Sequence, residues 1–546
     1  MFELFLYSIL VVVILTPCGR ILSGNNNLNI TNLSSELIYG IILISFISLA
    51  LNFLIALNPI VNTIILILPI LILYKNYKYY FSKLFLKFLV FNSILIFLLI
   101  VKSNIYRPDA MLYHLPYTSI LNEEKIIFGL SNLHFRFGHI SIIQYFSAFF
   151  NNLIFNEKAI VFSAAIIAST TIINFFNQIL NYFKKKQFNF HFFYLFSILI
   201  FIFYKMNRYG EYGNDAPTHF LFFFLISEII KSLNNNQIDL SNNFILSIFI
   251  LLNKITMSFG IILPFLFLTK KKFFKLLKNK KFYFGIIFLG LWLLKNTIIS
   301  GCLIFPVSKL CFSKLSWTNI EQVEYVADEN EAWTKSWPDF KNTKNISQKN
   351  YSKKFNWIKT WSETHLKKII KIIFPYIAFL IIIYLFLYSK NINKKKYDNK
   401  PNGKYLIITA FIFIFSIIWF LKVPVYRYGY SYFISLIALI FSYFCISLNI
   451  VQKSFFKFLK YTLIFFLVIF ISKNSIRIFK YDTNEKEVWP KIIFINENDV
   501  KKIQLNDFYY YESIRECGFS FTPCTHYKNL KLKSKIYLNY NFIYNN

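Results

Sequence analysis

A chain of 546 residues with a formal charge of +34, 56% hydrophobic side chains and a mean hydropathy of +0.47 excludes a soluble enzyme. Its apolar runs of about 17 to 25 residues recur too often for a single anchor. The charge alone would suit a nucleic-acid binder, but it is mostly Lys in a chain where Phe, Ile, Asn and Lys are abundant together, as an AT-rich coding bias produces, so no nucleic-acid partner is expected.

In chain order, apolar spans are predicted at about 3–22, 36–57, 59–74, 84–102, 158–181, 189–206, 216–233, 282–300, 369–388, 405–423, 430–449 and 455–472. The first ends in Thr16-Pro-Cys-Gly-Arg20 without a small-residue cleavage site, and reads as a span, not a signal peptide. Five short connections are Lys-rich and are assigned to the cytoplasm. They hold Lys75, Lys78 and Lys83, then Lys184 to Lys186, then Lys270 to Lys272 with Lys275, Lys278, Lys280 and Lys281, then Lys394 to Lys396, then Lys453, Lys457 and Lys460.

Residues 242–268 agree with that orientation only as a re-entrant hairpin turning near Asn253-Lys254-Ile-Thr256, because a single crossing would put the Lys270 cluster outside. A polar turn at depth must line protein or a wet cavity, which makes Lys254 a candidate cavity residue; the other reading is one long helix with a snorkelling Lys.

The chain is thereby divided into N-terminal transmembrane helices (1–102), an exterior loop with amphipathic helices (103–157), a transmembrane core with the hairpin (158–300), an exterior Trp-rich loop (301–367), C-terminal transmembrane helices (368–472) and an exterior soluble tail (473–546). Six of the seven Arg fall on the exterior face, although Arg played no part in drawing the topology. Cys302 and Cys311, and Cys517 and Cys524, fall there too, where either two local disulfides or four free thiols fit.

The exterior window from Tyr106-Arg-Pro-Asp-Ala-Met-Leu-Tyr-His114 to Asn132-Leu-His-Phe-Arg-Phe-Gly-His139 holds three of the seven His and two of the seven Arg. Ionisable groups at a membrane surface are costly to keep and mark a site. Asp109 reads either as a helix N-cap or as a general base that accepts a proton from a sugar hydroxyl, backed by His114, Arg107 and Arg136. His114 could orient that carboxylate, bind a metal or simply pack; His139 follows Arg136 on the same stretch.

Asp215, after Arg208 and Glu211, reads as a second cap or a second carboxylate of the same site. Arg427, between Tyr426 and Tyr428 with Gly429 beside it, is the best anion-binding candidate and suits a lipid phosphate; the alternative is an aromatic-belt anchor. Trp317, Trp333, Trp337, Trp357 and Trp361, with Glu321, Glu324, Asp328, Glu329 and Glu331, fit either sugar stacking or a loop lying on the bilayer. No Asp-x-Asp or His-Glu-x-x-His spacing is present, so a divalent metal stays open without a motif for it.

Taken together, an exterior Asp in a large first loop, followed by His, then further spans and a soluble tail, resembles the GT-C superfamily of integral membrane glycosyltransferases. Asp109 to His114, Gly129-Leu-Ser-Asn-Leu-His-Phe-Arg-Phe-Gly138, Asn296-Thr-Ile-Ile-Ser-Gly301 with Pro306, Arg427-Tyr-Gly429, and Cys517 through Pro523-Cys524 are similar to an uncharacterised bacterial membrane-protein family with GT-C-like features.

The resemblance implies an all-α polytopic bundle of about 11–14 transmembrane segments in a bacterial inner (cytoplasmic) membrane, with the active face periplasmic. It implies inverting transfer from a polyprenyl-phosphate-linked sugar donor to a cell-envelope glycan or lipid acceptor, with Asp109 as base and Arg427 or Arg136 steadying the phosphate. The sequence departs from the pattern in one respect. GT-C enzymes often pair two acids in the first loop, whereas Asp109 is followed by Ala110 and Met111, and Glu123-Glu124 is more than three helical turns downstream. The rival readings are a lipid-linked glycan polymerase or ligase and a transporter or flippase; against the last, no internal repeat is visible and the polar residues gather on one face.

Overall fold

The computed structural model describes residues 1–24, 27–103, 108–206, 209–210, 212–234, 239–341, 346–389, 403–448, 453–480, 487–490, 492 and 494–545. Arg208, Glu211 and Lys394 to Lys396 lie outside them. Among the described residues, nine helices are long and apolar enough to cross a membrane: Phe2–Ser23, Ile30–Asn52, Lys83–Ile100, Glu157–Lys185, Asp215–Asn234, Lys280–Ser300, Ile358–Ser389, Gly403–Lys422 and Phe455–Phe479. Five shorter apolar helices join them: Pro59–Lys75, Phe190–Lys205, Leu240–Asn253, Ile255–Phe265 and Tyr430–Ile446.

Polar caps start several of these helices where the apolar runs begin. Asn29, Ser82 and Asn189 accept the backbone N–H groups of Asn32, Phe85 and Phe192, satisfying donors that a helix cannot pair internally. The first two helices cross at Gly19 and Gly40. A Cβ on Gly19 would fall 1.5 Å from the Glu36 carbonyl oxygen, and one on Gly40 would fall 2.0 Å from that of Leu15, so only glycine permits this approach. Glu157–Lys185 and Asp215–Asn234 are buried almost throughout and form the centre. The outer helices Ile358–Ser389, Gly403–Lys422 and Phe455–Phe479 leave most of their apolar surface uncovered by protein, as lipid-facing helices do.

Residues 240–265 form a hairpin. Helix Leu240–Asn253 breaks at Lys254, whose backbone is extended (φ −151°, ψ 114°), and a 3-10 helix, Ile255–Phe265, follows. The rings of Phe244 and Phe265, near the two outer ends, lie 5.4 Å apart, so the second limb runs back along the first.

The carboxyl-terminal segment departs from an all-α fold. Val500–Leu505 and Phe508–Ser513 pair antiparallel, with Cys524–Thr525 parallel to the second strand. Leu532–Tyr537 and Tyr540–Asn545 form a second antiparallel pair. Each hairpin closes on two residues, Asn506-Asp507 and Leu538-Asn539, the latter both at positive φ as a tight primed turn requires.

This segment docks on the 108–139 stretch. Phe128 stacks on Phe542 with centroids 4.2 Å apart, and the backbone N–H of Ile543 donates to the Phe128 carbonyl. Disulfides join Cys302 to Cys311 and Cys517 to Cys524.

Candidate functional site

Asp109 begins a π-helical turn, Ala110–His114, that runs into helix Leu115–Glu123. Pro116 explains the turn: it has no N–H to donate, and its ring does not tolerate the carbonyl of a tight α-turn behind it, so the backbone widens. The Met111 carbonyl, left without the N–H that Pro116 lacks, accepts instead from Cys517 and Gly518 of the tail, at 3.2 and 3.0 Å. The Asp109 side chain makes no capping hydrogen bond, which removes the N-cap reading.

The Asp109 carboxylate instead faces two guanidinium groups. Arg427 Nη2 donates to Oδ2 at 3.2 Å, and Arg136 Nη1 lies 3.8 Å from Oδ1. Arg427 Nε lies 3.4 Å from Oδ2 of Asp215, whose Oδ1 forms an ion pair with Lys254 Nζ. The Lys254 ammonium sits 3.5 Å from the centre of the Tyr428 ring, and the Arg136 guanidinium 5.1 Å from that of Tyr113, cation–π geometry in both cases. Three cations and two carboxylates thus share one cluster with an excess of one positive charge. Lys254 is 9% exposed, and Asp109 is 29% exposed, so the amine is internal while the Asp109 carboxylate remains reachable.

Polar groups fix the break that delivers Lys254. The Asn253 carbonyl accepts from Asn214 Nδ2 at 2.9 Å, Asn253 Nδ2 donates to Thr218 Oγ1 at 2.7 Å, and Ser141 Oγ bonds Asn253 Oδ1. Tyr432 OH donates to the Thr256 carbonyl at 2.7 Å. The loop carrying Arg427 is held by its own backbone: His219 Nε2 lies 2.7 Å from the Arg427 carbonyl oxygen while Nδ1 engages Ser431.

His114 and His139 stand apart from the cluster. Of the roles open to His114, orienting Asp109, binding a metal or packing with its ring hydrogen-bonded, its contact fits the last: Nδ1 lies 2.7 Å from Nε2 of Gln144. Burial pulls the His114 imidazole down to about 4, against the partial opposition of Asp109 and Asp215. His139 Nε2 meets Asn330 Nδ2 at 3.1 Å, and burial, then Arg136 and Lys295, lower it to about 3. Arg107 lies outside the described residues.

Tyr428, Asn253 and His219 support the cluster and Gln144 holds His114 apart from it, roles that the sequence does not announce. Tyr428 and Asn253 adjoin Arg427 and Lys254 in the chain, whereas nothing in the sequence marks Gln144, which lies within an apolar helix.

A divalent cation fits this donor set poorly. Among the described residues, no three His, Cys, Asp or Glu side chains converge, and the guanidinium of Arg427 spans the two carboxylates that would have to be ligands.

Fold and site together define a multi-pass α-helical membrane protein with a charged cluster assembled from four distant segments. The chain belongs to the family described as Domain of unknown function (DUF8201), which it matches over residues 1–434, a stretch that contains Asp109, Arg136, Asp215, Lys254 and Arg427. No curated protein and no solved structure matches it.

Proposed function

We propose that the protein is a GT-C-type membrane glycosyltransferase, moving a sugar from a polyprenyl-phosphate-linked donor to a glycan or lipid acceptor of the cell envelope, with its site on the periplasmic face of a bacterial inner membrane. One observation carries this reading: a reachable carboxylate, Asp109, is held on Arg427 beside a surplus of cationic charge. That pairing supplies the two things the reaction needs, a proton acceptor for a hydroxyl and a clamp for a phosphate leaving group.

In this reading the acceptor oxygen attacks the anomeric carbon from the face opposite the phosphate, and its proton passes to Asp109. The bond from the anomeric carbon to the phosphate oxygen breaks, and its electron pair leaves with the lipid phosphate. Arg427, Lys254 and Arg136 offset the charge that develops there. Asp215 holds Arg427 and Lys254 in place, serving as a positioning residue and not as the missing second acid.

The test is release of polyprenyl phosphate by the purified protein in detergent from a panel of polyprenyl-linked sugars, comparing wild type with Asp109→Asn. Loss of turnover with an unchanged melting temperature is expected. Unaltered turnover removes Asp109 as base, and lipid translocation without bond cleavage favours a flippase.

A further inference from the structure

Arg136 also belongs to a second polar patch, between the 108–139 stretch and the tail. Its backbone N–H donates to Nδ1 of His134 at 3.1 Å. His134 is 1% exposed, and its ring centre lies 4.9 Å from that of His526 and 4.9 Å from that of Tyr527. Burial holds His134 well below the ordinary imidazole range, helped by His526 and Arg136. Burial and then Arg136 lower His526 too, against the field of Glu516.

Both rings are therefore neutral near pH 7, and a neutral imidazole has one N–H and one lone pair. His134 uses its lone pair on the Arg136 amide, so its proton is on Nε2, a buried atom with no hydrogen-bond partner. Nδ1 of His526 is likewise buried without a partner, and its tautomer is free to place a proton there. A metal would need the Nε2 lone pair of His134, which this tautomer withholds. An oxyanion needs the opposite, an N–H donor, and Arg136 adds charge beside it.

We propose that His134, His526 and Arg136 form an oxyanion subsite that takes a phosphoryl group next to the Asp109 cluster. The subsite stands on the geometry of His134, His526 and Arg136; assigning its phosphoryl group to a lipid donor rests on the transferase reading. It also gives the tail a part in ligand binding, since His526 lies beyond the family-matched residues.

Isothermal titration of the full-length protein in detergent with inorganic phosphate, pyrophosphate and farnesyl monophosphate tests this, in wild type, His526→Ala and His526→Gln. The expected result is binding in wild type, weakened about tenfold in both variants, as loss of one hydrogen bond to a charged group predicts. Melting temperatures within a few degrees of wild type show that the tail stays docked. Equal affinities in all three proteins overturn the subsite, as does His526-dependent binding of zinc with none of phosphate. If inorganic phosphate binds in a His526-dependent way and farnesyl phosphate binds no tighter, the subsite stands and its lipid source fails, separately from any result on Asp109.

Discussion

Asp109 and Asp215 are held on a single guanidinium: Arg427 gives Nη2 to one at 3.2 Å and Nε to the other at 3.4 Å. A planar fork can serve two carboxylates at once, whereas an ammonium is a point charge. Arg427→Lys should therefore retain contact with only one of them. In the polyprenyl-phosphate release assay, turnover is expected to fall about 10²- to 10³-fold, as when a preorganised donor is lost, with Arg427→Gln at least as severe. Full activity in Arg427→Lys would show that charge alone suffices.

Lys254 and Asp215 are an internal pair, and Asp215 also keeps Arg427. Asp215→Asn, which strands the ammonium, is expected to cost about 3–5 kcal/mol of stability, and Lys254→Met, which leaves Asp215 on Arg427, less. The double variant should recover a large part of that loss, which equilibrium unfolding in mild detergent measures as a coupling energy. Simple additivity of the two losses would dissolve the pair as a stabilising unit.

Acid should destabilise the protein through His114 and His139. Burial depresses both below 6.5, to about 4 and about 3, so between those values and 6.5 the unfolded chain binds more protons than the folded one. Stability is then complete above about pH 6.5 and is lost as pH falls toward 4 and below, by a few kcal/mol per group. Melting curves from pH 7.5 to 4 check the slope, and His114→Gln should flatten it. A melting temperature that rises on acidification over this range contradicts the assignment.

The Cys517–Cys524 bridge closes the loop that caps Met111. Cys517→Ser together with Cys524→Ser is expected to lower stability by about 2 kcal/mol, from the chain entropy returned to the unfolded state. It should also raise hydrogen exchange at the backbone amides of residues 517–518. Unchanged exchange there would mean that the docking holds without the bridge.

Orientation is directly measurable. Lys271→Cys, in the basic connection assigned to the cytoplasm, should react with an impermeant maleimide only in opened cells, and Ser308→Cys, in the loop after residue 300, should react in intact ones. The reverse pattern inverts the topology.

Hydropathy located the apolar spans well because a lipid-facing helix has to be apolar around its exposed side, as Ile358–Ser389 and Gly403–Lys422 are. The charged residues of the cluster were legible for a related reason: Asp109, Asp215, Lys254 and Arg427 stand out in apolar surroundings, and charge is expensive there. Their pairing was not, because which cation meets which carboxylate depends on how distant helix ends are brought together. Gln144, the partner of His114, is hidden among apolar neighbours that give it no pattern. The β-structure of the tail is only faintly legible: Val500–Leu505 and Phe508–Ser513 flank a two-residue Asn506-Asp507 turn, but the Asn-Gly or Asp-Gly signal of a primed turn is missing.

Because Pro116 leaves the Met111 carbonyl to be satisfied by Cys517 and Gly518, the stretch that begins with Asp109 borrows donors from a segment far downstream. Ribosomal synthesis delivers those donors long after the carbonyl they serve. The early helices can insert one after another as they emerge, but the wall beside Asp109 cannot reach its final hydrogen bonding until that downstream segment has been made and has folded against it. A nascent or truncated chain would therefore carry the membrane architecture with an unfinished site, a built-in delay between insertion and competence.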